Sequence, residues 1–179
     1  MLNTKAMTLP LLISAALVSG QALADSANTI NFKGEVSDET CSVSVNGNES
    51  APVVLMPTVG VNELLKTGDI AGKTDFTVAI SGCTGSTNST RVSTIFIGNN
   101  VSTTGNLKSN GSAENVEVQL LDTEGKEIDL TGGYDGNGDL TLSPGETEKS
   151  ATYSAQYYAT NSATAGTVSA SLQYAVTYQ

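Results

Sequence analysis

Carboxylates are the only chemistry-bearing side chains present in quantity. The chain has 18 Asp and Glu against 8 Lys and Arg, and it contains no histidine. Residues 135–139 (DGNGD) place Asp135, Asn137 and Asp139 at the alternating positions a calcium-wrapping loop uses, with Glu146 twelfth. Leu140 stands sixth, where such a loop needs glycine for its sharp turn, and Pro144 argues against a helix beyond it. A turn-rich connection between strands explains the stretch without a metal. Asp122, Glu124, Glu127 and Asp129 supply pairs of the kind a glycoside hydrolase uses. They flank the Glu124-Gly125 turn and read as a solvated edge. Without histidine, the usual base for a serine or cysteine nucleophile is absent. No cofactor motif is present, and we expect no enzyme.

The elements that would have to position such groups begin with a targeting segment. Lys5 is the only charge before Asp25. A short apolar run follows it and ends at Ala22-Leu23-Ala24, a small-x-small exit. These are the three parts of a secretory signal, so residues 1–24 are expected to be removed. The removed segment carries one basic residue and no acid, so the mature chain is one unit more negative than the full chain's −10. Such a chain repels nucleic acid, and no basic patch reverses that. Cys41 and Cys83 then face an oxidising compartment, where a disulfide is the default. Closing a loop of that size contributes about 4 kcal/mol in the chain-entropy model. Two isolated cysteines without histidine make a poor zinc site.

The mature sequence reads as all-β. Val168, Ala170, Leu172, Tyr174, Val176 and Tyr178 share one parity, with Ser169, Ser171, Gln173 and Thr177 on the other. A period of two over this length predicts a half-buried strand across 167–179. Shorter alternations predict strands at 41–45, 76–80, 92–97, 116–120 and 152–159. Cys83 is out of phase with Phe76, Val78 and Ile80, which predicts a bulge or a cysteine just past the strand end. Turn chemistry separates the runs at Asn46-Gly47, Ser81-Gly82, Gly98-Asn99 and Ser143-Pro144-Gly145. Residues 61–66 suggest only a short helical connector, and the glycine-rich 132–138 reads as one long loop. Several short strands at this spacing predict a sandwich.

One strand stands apart at the free end of the mature chain. Ile30, Phe32, Gly34 and Val36 alternate with Asn31, Lys33 and Glu35. Burying the three large side chains is worth roughly 1.5–3 kcal/mol each. Periodicity leaves two readings open. The segment is either an ordinary first strand paired within its own molecule, or a strand added to another molecule's sheet.

Motifs along the whole mature chain resemble those of chaperone–usher fimbrial subunits, close to the type 1-like major pilins. They are residues 29–36 (TINFKGEV), 40–43 (TCSV), 56–59 (MPTV), 69–72 (DIAG), 76–83 (FTVAISGC), Asn115-Val116, 119–121 (QLL), 157–160 (YYAT), 163–166 (ATAG) and 174–178 (YAVTY). The resemblance implies an incomplete immunoglobulin-like sandwich, the pilin fold, at 39–179, preceded by a donor-strand extension at 25–38. It implies that Ile30, Phe32, Gly34 and Val36 complete a neighbour's sheet. The receiving groove would lie beside Val168, Ala170, Leu172, Tyr174, Val176 and Tyr178. A periplasmic chaperone would first occupy that groove and hold the Gln179 carboxylate; the next subunit's extension would replace it at an outer-membrane usher. The implied role is a structural subunit of a bacterial surface fimbria that supports adhesion, with itself and other fimbrial subunits as partners. Only four residues, 25–28, precede the motif, which keeps a short adaptor subunit of the fimbrial tip as an alternative. From the residues alone, a monomeric secreted binding module is the other alternative.

Overall fold

The computed structural model describes residues 41–85 and 87–179. The expected signal segment, residues 1–24, and the expected donor positions Ile30, Phe32, Gly34 and Val36 lie outside the described residues. Eight strands form two antiparallel sheets: β1 (Ser42–Val45), β2 (Ile70–Ser81), β3 (Val92–Gly98), β4 (Leu107–Lys108), β5 (Val116–Leu121), β6 (Tyr134–Asp135), β7 (Lys149–Ala159) and β8 (Leu172–Tyr178). The larger sheet runs β1-β2-β7-β5-β4 and the smaller β6-β3-β8.

Alternation drives the packing. Phe76, Val78 and Ile80 of β2 point inward beside Ala151, Tyr153 and Ala155 of β7, and all six are buried. Phe96 and Tyr134 come from the opposing sheet. The Phe96 ring meets Tyr153 edge-on at 4.9 Å between centroids, while Phe76 stacks on Tyr153 at 5.8 Å. Offset and edge-on contacts of this kind add about 0.5–1.5 kcal/mol each beyond burial.

Two turns depend on backbone that most residues avoid. Asn46 and Gly47 both have positive φ, 50° and 77°, and Val45 and Asn48 exchange backbone hydrogen bonds across them. That is the tight two-residue hairpin for which Asn-Gly is suited. In β2 the register shifts between Ala71 and Thr74. Gly72 sits there at φ 65°, and a Cβ would lie 2.9 Å from the Tyr157 ring. A bulge with glycine lets β2 pass over that ring.

Several sequence expectations change in detail. Cys83 lies two residues beyond β2, after Gly82 at φ 65°, so it is a cysteine past the strand end and not in a bulge. It is bonded to Cys41 with a Cα–Cα distance of 4.3 Å. The connector at 61–66 shrinks to one 3-10 turn, Val61–Glu63. The stretch 132–138 is not one long loop, because Tyr134 and Asp135 pair with Phe96 and Ile95 of β3. A two-residue strand carries no periodicity from which it could be read. The last strand is regular only from Leu172. Before that point its backbone bonds to Asn99, Asn110 and Ala113, and side chains of Ser109 and Ser112 complete the set.

Candidate functional site

The final strand and an unladdered segment face each other across an open seam. Along 168–178, Val168, Ala170, Leu172, Tyr174, Val176 and Tyr178 are all half-buried and all pack against the core, while Ser169, Ser171, Gln173 and Ala175 are exposed. The structure therefore gathers all six sequence-predicted residues on one face. Their backbone direction follows from the register. The carbonyls of Thr167, Ser169 and Ser171 accept from Ala113, Asn110 and Asn99, and Gln179 exchanges two bonds with Arg91. Odd-numbered residues thus aim their N–H and C=O groups toward β3 and the segment 99–113 that follows it. In an extended strand neighbouring residues point oppositely, so Val168, Ala170, Leu172, Tyr174 and Val176 aim theirs at the seam.

The opposite wall is residues 52–59. Pro52, Val54 and Met56 are half-buried, whereas Val53 and Leu55 are 71% and 84% exposed. This is a strand's alternation, yet among the described residues the segment enters no ladder. The Pro57 carbonyl accepts from the Tyr157 hydroxyl at 3.1 Å, which holds the wall to β7. Burial raises the Tyr157 pKa above its ordinary value, so that hydroxyl stays a donor. Between the walls lies a groove of about 610 Å3 whose floor includes Phe76, Phe96, Val118, Leu120 and Ala155. These come from both sheets, so the groove opens directly onto the core. A second hollow of about 400 Å3 continues past Val168, between Val59, Leu64, Val116 and Ala163. Residues 56–59 (MPTV) carry one of the family-like motifs. The alternation of Pro52, Val54 and Met56 was the available signal for this wall.

Groove polarity is fixed by chain direction. Ser42 pairs with Ser81 and Ile80 with Lys149; Cys83 N donates to the Thr147 carbonyl, and Leu142, five residues before Thr147, bonds to Thr90, next to the Arg91 that bonds Gln179. Cys41 therefore lies at the pole where β8 ends. Val59, Leu64 and Val168 share a separate small cluster with Ala159, at the pole where the final strand begins.

The carboxylates occupy other roles. The Asp139 carboxylate accepts from Thr94 N at 2.8 Å, from Thr94 Oγ1 at 2.7 Å and from the Tyr153 hydroxyl. Asp135 accepts from Asn137 N, and Asn137 accepts from the Arg91 guanidinium. Glu146 accepts from Ser143 N and Lys149 Nζ, and these hold its pKa below the ordinary carboxylate value. The four positions suggested for calcium are thus engaged separately. Among the described residues no group of three or more His, Cys, Asp or Glu converges as metal ligands. Asp122 caps Glu124 N and Lys126 N; Asp129 caps Thr131, whose hydrogen bonds lower the Asp129 pKa. Both serve turns. Both faces of β5 are closed. Glu117 is buried and accepts from Ser102, Thr104 and Asn106, and Gln119 accepts from Gln156 at 2.7 Å.

A family model described as "Fimbrial protein" matches residues 30–179. The chain belongs to the fimbrial protein family. The F17 fimbrial protein of Escherichia coli is 37% identical over 174 residues, covering 93% of this chain and 95% of that one. The major fimbrial subunit SMF-1 of Stenotrophomonas maltophilia is 34% identical, with 84% and 91% covered. The type-1 fimbrial protein A chain of Escherichia coli is 30% identical, with 99% and 100% covered. Among solved structures, the P pilus rod subunit PapA superposes with a TM-score of 0.60 at 18% identity, over 78% of this chain and 99% of that one. A chaperone–usher pilus subunit superposes at 0.59 and 18%, over 89% and 100%. At that identity the superpositions establish the pilin fold. The protein is a structural subunit of a bacterial surface fimbria, exported to the cell surface, and it assembles with other subunits.

Proposed function

We propose that this subunit polymerises by donor-strand exchange: residues 25–38 of one copy fill the groove of the next, with Ile30, Phe32, Gly34 and Val36 facing its core. The observation that carries this reading is the seam itself. Two walls, 52–59 and 168–178, present alternating apolar side chains across an apolar groove of about 610 Å3, and the 168–178 wall aims backbone groups toward it. A strand placed there would bond to both walls and cover Phe76 and Phe96. Gly34 would suit a point where the incoming backbone passes close to core side chains.

Chain direction favours exchange over self-pairing. Cys41 is anchored by its disulfide to Cys83 at the pole where β8 ends. Four residues separate it from Val36, a reach of about 17 Å at full extension. The far end of the final strand lies ten residues from Tyr178, about 33 Å away. A chain's own extension could therefore enter only parallel to β8, the less stable pairing. A second copy can enter antiparallel, with its Val36 beside Val168.

Before assembly, a periplasmic chaperone strand would occupy the same seam and engage Gln179, and an outer-membrane usher would catalyse the exchange. Residues 1–24 would be cleaved as the signal peptide. The role is structural rather than enzymatic, and the matches to relatives described as major subunits support a shaft position over a tip adaptor. The test uses a subunit lacking residues 25–37, released from its chaperone in the presence of a synthetic peptide of those residues. The expected product is a one-to-one complex that survives unboiled electrophoresis, while the same peptide carrying Gly34→Arg yields none. Equal capture of both peptides would contradict insertion in this register.

A further inference from the structure

Asn-Gly pairs occur in the chain at 46–47, 110–111 and 137–138. In such a pair the glycine nitrogen can attack the preceding side-chain amide with little hindrance, because glycine has no Cβ. The fold treats the three pairs differently. Gly111 N donates to Ser109 Oγ at 3.0 Å, and a Cβ on Gly111 would lie 2.0 Å from the Thr167 carbonyl oxygen. Gly138 N donates to Ser93 Oγ at 2.8 Å, although the Asn137 side-chain oxygen is itself held by the Arg91 guanidinium. Gly47 is exposed at the tip of the β1–β2 hairpin, and a Cβ there would meet nothing within 4 Å beyond its chain neighbours. Among the described residues its N–H has no partner. The Asn46 side-chain oxygen accepts from Thr77 N at 2.9 Å.

We propose that Asn46 is a self-modification site, at which the Gly47 nitrogen attacks the Asn46 side-chain carbonyl carbon and the turn converts to aspartate and isoaspartate. The Gly47 N–H gives its proton to solvent as the N–Cγ bond forms. The Cγ–Nδ2 bond breaks, and the side-chain nitrogen takes a proton from water and leaves as ammonia. Solvent water then opens the cyclic imide at one carbonyl or the other, so the net change is amide plus water to carboxylate plus ammonium. Negative charge develops on Oδ1 during the attack, and the Thr77 N–H already points at that oxygen, as an oxyanion donor does. Ring closure needs the hairpin tip to open locally, and that tip is spanned by the two Val45–Asn48 bonds. At Asn110 and Asn137 the attacking nitrogen must first give up a hydrogen bond, which slows the step roughly two- to tenfold. The isoaspartyl product carries the backbone through the side chain. It lengthens the two-residue turn that fixes the register of β1 on β2.

Peptide mass spectrometry on intact fibres held in warm, mildly alkaline buffer tests this, with an isoaspartyl methyltransferase marking isoaspartate. Ammonia loss at Asn46 is expected to run about two- to tenfold ahead of Asn110 and Asn137, with isoaspartate among its products. In subunits unfolded by denaturant the three sites should react at similar rates. Asn110 or Asn137 keeping pace with Asn46 in the fibre would overturn the assignment. Aspartate at 46 without isoaspartate would overturn the imide step. An equal lead for Asn46 in the unfolded chain would remove the fold as its cause and overturn the proposal.

Discussion

Tyr153 has no exposed surface and lies where the two sheets meet, with its hydroxyl donating to Asp139. Burial comes first and the Asp139 hydrogen bond second in raising its pKa above the ordinary 10.0; Tyr134 is raised mainly by burial too. A raised pKa means that the folded state holds its proton more tightly than the unfolded chain. This contribution is fully present below about pH 10 and is lost as pH climbs through the folded value. Thermal melts should show stability falling above pH 10, with a shallower fall in Tyr153→Phe; an unchanged slope would count against Tyr153 as the source. The same variant leaves Asp139 short of a donor, so at neutral pH it should lose about 1–3 kcal/mol in denaturant titration. Phe96→Ala removes the ring that Tyr153 and Tyr134 pack on and should cost about 3–5 kcal/mol. None of these partnerships was legible in the sequence, because Asp139 read as part of a turn-rich loop and its partners are distant along the chain.

Strands were legible where one face meets the core and the other meets water. Phe76, Val78 and Ile80 announce β2, and Val168 through Tyr178 announce the final strand by the same alternation. The signal fails where both faces close. Glu117 and Gln119 look solvated until Ser102, Thr104, Asn106 and Gln156 are brought to them, and no local pattern encodes that. It also fails for Tyr134 and Asp135, too short to show a period. Within β2, Gly72 is fixed by both its φ of 65° and the Tyr157 ring. Gly72→Ala should destabilise by more than about 1 kcal/mol, read as a lowered denaturation midpoint with an unchanged slope.

At the scale of the whole molecule, the sandwich carries its opening in its chain direction. The disulfide joins β1 to the end of β2 across 42 residues and fixes Cys41 at one pole. Replacing both cysteines by serine should lower stability by about 2–4 kcal/mol in the chain-entropy account. It should also free the extension from that pole, raising the share of subunits that fail to enter fibres. Export and the all-β class were readable from the signal segment and the alternations. The groove was readable only through the family resemblance, because its wall at 52–59 is defined by a partner it lacks among the described residues. The most direct test of strand donation is electrophoresis of surface extracts without boiling, for the wild type and for a subunit lacking residues 25–37. We predict a ladder of multimers in the wild type that collapses to one band on heating, and no ladder from the deletion. A single unboiled band from intact wild-type fibres, or a ladder that survives the deletion, would contradict it.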